Sequence, residues 1–227
     1  MTNFLEGIAA KLLAKHGNDL SNVLVLMPNQ RSCTYFRNEL KKLSKQVVFA
    51  PEIATLKDWM LGQSKLIVAD NIELVTEIYT CHKQIGGGLT LDEFISTASI
   101  LVSDFDEIDL QMADARLFFF NLEELQSMKI YEPGGTPTEY KLQYRKFWED
   151  FGKLYHLLRE KLLAAGKGYT GMILRDVAEK KGDLNTDYTA VYVVGFSTLN
   201  KTDEVIIDHL LAVANAEVVW DADMYYV

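Results

Sequence analysis

The sequence lacks the residues that disulfide, zinc and membrane-spanning proteins need. Only two cysteines occur in 227 residues, Cys33 and Cys81, and they form no Cys-x-x-Cys pair. That leaves no material for a disulfide framework or a cysteine zinc site. Apolar runs such as Leu117 to Phe120 and Val23 to Met27 are far too short to cross a bilayer, and no secretory apolar region follows Met1. These features predict a cytoplasmic protein with no membrane partner.

Positive charge is also scarce. Lysine and arginine together number 23 against 32 aspartates and glutamates, for a formal net charge of -9. A free-standing nucleic-acid binder usually shows the opposite balance. Any contact with DNA must therefore come from a local patch or from a larger assembly.

The sequence has no phosphate-binding loop for ATP. The pattern G-x-x-x-x-G-K-[ST], whose backbone N–H groups, lysine and hydroxyl hold phosphates and magnesium, is absent. The nearest string, Ala165 to Gly168, has neither the first glycine nor the hydroxyl, and its position between two helices favours a helix C-cap. We expect no nucleotide cofactor and no metal.

Continuous apolar runs, each with a turn signal close by, predict buried strands of a parallel sheet. The four runs are Val23 to Met27, Val47 to Ala50, Val191 to Val194 and Glu217 to Trp220. Helical periodicity separates them, including amphipathic helices at 4–14 and 31–43 and helices that begin near Thr55, Thr170 and Asn200. The alternation predicts one doubly wound α/β domain with right-handed crossovers.

The middle of the chain, from Ile67 to Gly166, shows almost no strand signal. Capping boxes begin at Thr90 and at Thr136, and the second opens a helix of up to about 29 residues that ends at Gly166. We therefore predict an α/β domain over 1–66 and 167–227, with an all-helical insertion at 67–166. The apolar end, Met224 to Val227, leads us to expect a piece of a longer protein.

Several short segments of the sequence resemble a known family. They are residues 23–32, then Tyr35-Phe36 and Glu39-Leu40, then residues 53–56 and Trp59, and finally residues 191–196 ahead of Leu199. Their order and spacing are similar to the N-terminal region of AddB-type helicase–nuclease subunits. The resemblance implies a P-loop-helicase-like (Rossmann-like) sheet of the UvrD-like superfamily I type that has lost its ATP site. A PD-(D/E)XK nuclease would lie far downstream. The helix at 4–14 departs from family members that begin directly with a strand.

The resemblance also implies a function. Asn29, Gln30 and Arg31 match the helicase motif that contacts single-stranded DNA, and Thr55 matches the next such motif. The strand that ends in Gly195 and Phe196 carries no Asp-Glu pair to hold magnesium. We therefore expect a noncatalytic domain that tracks or scaffolds DNA in double-strand-break repair and recombination, beside a motor subunit of AddA type. This chain would not be an enzyme by itself.

Two other functions stay open on the residues alone. One is an unrelated α/β enzyme domain that binds a nucleotide or metabolite near Pro28, Pro51 and Gly195, where strands of such sheets deliver ligand-binding side chains. The other is a pure protein-interaction module that docks partners on the helical insertion.

The remaining side-chain clusters favour structural roles. Asp104, Asp106, Glu107 and Asp109 lack the spacing of a calcium loop and predict a solvated acidic face. Glu179-Lys180-Lys181 ends a helix and lacks the acidic partner of a nuclease motif. Cys33 and the four scattered histidines are interpreted as packed or exposed groups. An aromatic stripe on the long helix predicts core rather than a base-stacking platform. Its members are Tyr140, Tyr144, Phe147, Trp148, Phe151, Tyr155 and Leu158.

Overall fold

A computed structural model describes residues 3–119 and 139–221, and for residues 139–149 the backbone alone. The chain divides into two compact units. The first comprises the described residues of Met1–Gln63 and Val177–Val227, and we call it the sheet unit. The second comprises those of Ser64–Asp176, and we call it the helical unit.

The helices and strands follow one another along the chain as expected of an α/β protein. In chain order they are α1 (Phe4–His16), β1 (Val23–Met27), α2 (Gln30–Leu43), β2 (Glu52–Thr55), α3 (Leu56–Gln63), β3 (Ile67–Val68), α4 (Asn71–Gln84), α5 (Leu91–Leu110), a helical stretch at 115–119, α6 (Glu139–Ala164), β4 (Lys167–Gly168), α7 (Thr170–Glu179), a 3-10 helix (Lys181–Asp183), β5 (Ala190–Val194), α8 (Lys201–Val213) and β6 (Ala216–Val219).

The sheet unit contains a four-stranded sheet in the order β2-β1-β5-β6, and every pair of neighbours is parallel. The two central strands, β1 and β5, are buried along their whole length. Such burial on both faces explains why their sequences are continuous apolar runs rather than alternating ones. The fold is therefore α/β with a parallel sheet flanked by helices, as predicted. The P-loop-helicase type and the interpretation of the middle block as an insertion stay predictions.

One core cluster of the sheet unit lies on the face of the sheet beneath α1 and α2. Val23, Val25 and Met27 of β1 alternate along the strand and share this core with Tyr192 and Val194 of β5. The helices contribute Ile8, Ala9 and Leu12 from α1 and Cys33, Phe36 and Leu40 from α2. This packing holds α2 against the strand that precedes it, so the β1–α2 turn is fixed in place.

The second predicted strand, Val47 to Ala50, is wrong. The strand lies after Pro51, at Glu52–Thr55, where Ile53 and Thr55 are buried. Val47 is 85% exposed and Phe49 is 65% exposed, and of this run only Val48 packs partly buried against the core. Phe49 makes only an isolated parallel bridge to Asp19. Proline therefore precedes the strand, where its missing N–H costs nothing, instead of ending it.

The other predicted elements of the sheet unit are confirmed within a residue or two. Strands at Val23–Met27, Ala190–Val194 and Ala216–Val219 match the apolar runs. Asn200 caps α8 as expected, with its side chain accepting the Asp203 N–H at 2.9 Å. Thr55 ends β2 and accepts the Asp58 N–H at 3.0 Å, so it also caps α3.

The helical unit is built mainly from α4, α5 and α6. The Thr90 capping box opens α5 as predicted, and α6 ends just before Gly166, whose φ of 69° is the left-handed value that glycine permits. The predicted capping box at Thr136 lies outside the described residues. The middle block, 67–166, was predicted to be all-helical, yet it begins with β3, which pairs in parallel with β4 just beyond the block. Two-residue strands are too short to leave a readable pattern.

The core of the helical unit contains the described part of the aromatic stripe. Phe151, Tyr155 and Leu158 are buried, which confirms their interpretation as core. The side chains of Tyr140, Tyr144, Phe147 and Trp148 lie outside the described residues. Over residues 3–119 and 139–221, no helix combines the length and apolar character that a bilayer crossing requires.

Candidate functional site at the carboxyl edge of the sheet

The sheet has one point where the chain reverses the direction in which it adds strands. From β1 the chain adds β2 on one side, and later it adds β5 and then β6 on the other side. In open parallel sheets, ligands bind beyond the carboxyl ends of the two strands that flank such a point. Here those strands are β1 and β5. The candidate site is therefore formed by the β1–α2 turn, the β5–α8 connection and the neighbouring end of β2.

Asn29 closes the β1–α2 turn as the N-cap of α2. Its backbone is extended, and its side-chain oxygen accepts the Ser32 N–H at 2.9 Å and the Ser32 hydroxyl at 3.2 Å. This capping is the local reason that the helix begins directly after Pro28. The amide oxygen of Asn29 is thus committed to the helix, which leaves its amide nitrogen for a ligand.

Gln30 and Thr55 meet through a carboxylate that the sequence interpretation did not single out. Met27 and Thr55 are register partners in β1 and β2, so the β1–α2 turn and the end of β2 lie side by side. The Gln30 side-chain amide donates to Asp58 Oδ2 at 2.6 Å, and the Thr55 hydroxyl donates to the same oxygen at 2.7 Å. Asp58 therefore joins two of the four predicted DNA-contact residues.

A sequence signal for Asp58 did exist. Thr55-Leu56-Lys57-Asp58 has the spacing of a capping box, in which the first hydroxyl accepts the third following N–H and the acidic side chain reaches back. The third partner, Gln30, is 28 residues away, so its hydrogen bond to Asp58 follows only from strand pairing.

Arg31 is an exposed cation at this edge, as is Lys57 in the first turn of α3. The Arg31 side chain lies at the first turn of α2, and among the described residues no hydrogen bond or ion pair engages it. Thr55, in contrast, is 6% exposed and its hydroxyl is used by Asp58. The four predicted residues are thus brought to one edge, but they differ in what they offer a ligand. Arg31 offers a free positive charge, and Thr55 offers little.

The β5 side of the site is apolar and tightly turned. Gly195 has a φ of 72°, a conformation that a side chain disfavours, and its N–H donates to the Val219 carbonyl at 3.0 Å. Phe196 beside it is buried. The nearest acid along the chain, Asp203, closes the capping box of α8, and burial raises the pKa of its carboxyl. Asp203 therefore serves the helix.

The chemistry available at this edge is polar recognition. Cys33 lies in the first turns of α2, but it is fully buried and this burial raises the pKa of its thiol, the opposite of a reactive cysteine. Among the described residues, no group of three or more His, Cys, Asp and Glu side chains could hold a metal ion. The alternative function placed a nucleotide or metabolite site near Pro28, Pro51 and Gly195. The prediction for Pro51 is wrong, because Pro51 lies at the amino end of β2 and not at its carboxyl end.

A second polar cluster lies inside the helical unit, and it corrects the interpretation of the acidic face. Asp109 is fully buried, whereas Asp104 and Glu107 are exposed as expected. The Asp109 carboxylate accepts the Tyr155 hydroxyl at 2.6 Å and an Arg175 N–H at 3.2 Å, and it also bonds Arg159 and Tyr169. Position along α5 alone could not reveal these partners, since they lie 46 to 66 residues away.

The Asp109 cluster links α5 to α6 and α7. Burial and the adjacent carboxylate raise the pKa of the Tyr155 and Tyr169 hydroxyls far above the ordinary value, so both remain hydrogen-bond donors. Arg175 also donates to the Ala113 carbonyl at 2.8 Å. With every oxygen of the carboxylate bonded within the unit, this cluster fixes helices and offers no open position to a substrate.

Comparisons with known proteins give no family. No protein-family model matches the chain, and no curated protein matches it. The resemblance to AddB-type proteins therefore rests on the residues quoted above.

Proposed function

We propose that this chain is a noncatalytic, helicase-like α/β domain of an AddB-type helicase–nuclease subunit, which tracks or scaffolds DNA during double-strand-break repair and recombination. The observation that supports the proposal is the composition of the candidate site. It has the position of a nucleotide site in a doubly wound sheet, but it presents an exposed arginine and amide groups instead of phosphate-loop and magnesium-binding residues.

The β1–α2 turn argues against ATP binding. A phosphate loop presents several free N–H groups around a glycine-rich turn, together with a lysine. Here the turn contains no glycine, and the Asn29 side chain takes the Ser32 N–H that a phosphate would need. Asp58 places a negative charge beside Gln30, which further disfavours a triphosphate.

The same turn suits a single phosphate contact at its outer side. Arg31 is exposed on the first turn of α2, where the helix dipole also attracts negative charge. One guanidinium can hold one backbone phosphate of a passing strand without reading bases. Such a contact fits a domain that guides DNA while a motor subunit of AddA type supplies the force.

Calorimetry with ATP and magnesium tests the noncatalytic part of the proposal. We expect no heat of binding at micromolar nucleotide. A dissociation constant in the micromolar range would refute the helicase-like interpretation and support the alternative of a nucleotide- or metabolite-binding enzyme domain at the same strand ends.

The DNA part is tested with the full-length protein assembled with its motor partner. We expect Arg31→Ala to weaken DNA binding and to lower the slope of log affinity against log salt by about one unit, the loss of one phosphate contact. Arg116→Ala, which removes an exposed arginine of the helical unit, is the matched control. Equal affinity and equal slopes for the two variants would show that Arg31 makes no such contact.

A further inference from the structure

Positive charge is concentrated on α2 and the residues that follow it. Residues 30–45 contain five basic side chains, Arg31, Arg37, Lys41, Lys42 and Lys45, and one acid, Glu39, in a chain whose net charge is -9. The Glu39 side chain is only 15% exposed and pairs with Lys42 at 2.8 Å. The solvent side of α2 is therefore a local basic patch in an otherwise acidic protein.

Four side chains of α2 form one exposed stripe. Arg31, Tyr35, Asn38 and Lys42 are spaced by four, three and four residues, so they lie on one face of a helix with 3.6 residues per turn. All four are exposed, while the core-facing residues Cys33, Phe36 and Leu40 are buried. We call these four residues the α2 stripe. From Arg31 to Lys42 it rises about 16 Å.

Tyr35 supplies a flat surface in the middle of the α2 stripe. Its side chain is 55% exposed although it is large and aromatic. An exposed ring between cations is the arrangement by which proteins hold unpaired bases, since a base stacks on the ring while phosphates meet the charges. At about 3.4 Å for each stacked nucleotide, the stripe matches a strand of four to five nucleotides.

An added β-strand is a poorer occupant of this side of the sheet. β2 is the edge strand, and the Arg37 guanidinium donates a hydrogen bond to its Ile53 carbonyl. A charged side chain over an outward backbone group protects an edge from pairing with another strand. The geometry therefore favours an anionic, unpaired nucleic-acid strand over an extended peptide.

We infer that the α2 stripe binds single-stranded nucleic acid, with Arg31 and Lys42 on backbone phosphates and Tyr35 stacked on a base. The inference rests on the proposed function, because it extends the contact at Arg31 along α2 to Tyr35 and Lys42. It also resolves how a chain with a net charge of -9 can meet DNA, since the α2 stripe and its flanking lysines form a separate positive surface.

Fluorescence anisotropy of a labelled oligothymidylate of about 12 nucleotides with this chain, at a salt concentration of about 20 mM, tests the inference. We expect Lys42→Gln to weaken binding and to lower the salt slope by roughly 0.7 units, the contribution of one single-strand phosphate contact. Lys181→Gln removes the same charge from an exposed position of the sheet unit outside α2 and should change neither quantity by comparison.

Tyr35→Ala separates stacking from charge. It should weaken binding roughly 5- to 150-fold, the range for one stacked base, while the salt slope stays unchanged. Trp220→Ala is the control, because Trp220 is 54% exposed and follows the opposite edge strand. Circular dichroism confirms that each variant is folded.

Three results would overturn the inference: no binding to the wild-type chain at low salt, equal loss in Lys42→Gln and Lys181→Gln, or full affinity in Tyr35→Ala. If polyglutamate displaces the oligonucleotide and Tyr35→Ala binds normally, the patch recognises negative charge alone, as an acidic protein partner would provide. The proposed function fails separately, through ATP binding or through an unchanged Arg31→Ala complex.

Discussion

The two units of the chain place their polar groups in opposite ways. In the sheet unit the core strands β1 and β5 are wholly apolar, and polar side chains collect where the strands end, around Asn29 and Asp58. In the helical unit the most connected polar group, Asp109, lies in the interior with no exposed surface. In the parallel sheet, polar side chains gather at the edge where the strands end. In the helical unit, the Asp109 carboxylate is enclosed between packed helices.

This difference indicates which unit serves binding and which serves rigidity. Groups at a strand end keep contact with water and can exchange it for a ligand, so their loss changes affinity more than stability. A buried carboxylate that neutralises arginines contributes little net stability compared with apolar packing, but removing it alone leaves buried charge without compensation. Substitutions in each unit test this difference through their effects on the free energy of unfolding and on carboxyl pKa values.

The largest effect is expected for Asp109→Asn. The amide keeps the size of the side chain but removes the buried negative charge that Arg159 and Arg175 contact, and the free energy of unfolding should fall by about 3 to 5 kcal/mol. Chemical denaturation followed by circular dichroism measures the loss, and hydrogen exchange locates it. We expect faster exchange in α5 and α6, with β1 and β5 unaffected.

Asp104→Asn is the matched control for Asp109→Asn, since Asp104 lies on the same helix and is exposed. Its effect should stay within about 0.5 kcal/mol. If both variants lose the same small amount, the Asp109 cluster does not hold the helical unit together and the contrast between the units disappears.

A smaller effect is expected for Gly171→Ala in the helical unit. A Cβ at Gly171 would lie 2.3 Å from the backbone oxygen of Asp106, so α7 must shift away from α5. We expect a loss of about 1 to 3 kcal/mol, the usual cost of overpacking. Thermal unfolding measures this change.

Gly7→Ala in the sheet unit should raise the free energy of unfolding, whereas Gly171→Ala should lower it. Gly7 lies within α1 with no atom within 4 Å of the added Cβ, and alanine is the better helix former, so unfolding should cost about 0.5 to 1 kcal/mol more. Stabilisation by both substitutions would mean that α7 and α5 are not in close contact at Gly171.

The smallest effect concerns two capping-box carboxylates, Asp203 of the sheet unit and Glu93 of the helical unit. Burial raises the pKa of Asp203 above its ordinary 3.8, whereas hydrogen bonds from Thr90 lower the pKa of Glu93 below its ordinary 4.5. We therefore expect the pKa of the Asp203 carboxyl above 3.8 and the pKa of the Glu93 carboxyl below 4.5. Carbon-detected NMR titration of the carboxyls reads both values.

The signs of the two contributions to stability differ accordingly. Glu93 stabilises the fold above its unfolded pKa, and this contribution is lost as the pH falls through its lower folded value. For Asp203 the fold disfavours the charged form, so its favourable contribution is present at low pH and is lost as the pH rises through its raised folded value. A pKa for Asp203 at or below 3.8 would contradict the burial of its carboxyl.

Local patterns predicted much of the sheet unit and the position of the candidate site. The apolar runs of β1, β5 and β6 and the caps at Thr90 and Asn200 follow from neighbouring residues, and the order of strands and helices places Asn29 to Arg31 at a strand end. The run at 47–50 misled because most of its apolar side chains are exposed and only Val48 packs against the core. Two-residue β3 and β4 left no pattern at all.

The spacing of apolar residues already indicates which segments form buried strands and which form amphipathic helices, because a strand covered on both faces is continuously apolar and a helix covered on one face is periodic. The surroundings of the carboxylates, in contrast, depend on the folded arrangement of distant segments. Asp58 and Asp109 both belong to helices, yet one meets Gln30 at an exposed edge and the other is enclosed by two arginines and two tyrosines. Partners dozens of residues away set that outcome, since the solvation of a charge depends on everything folded around it.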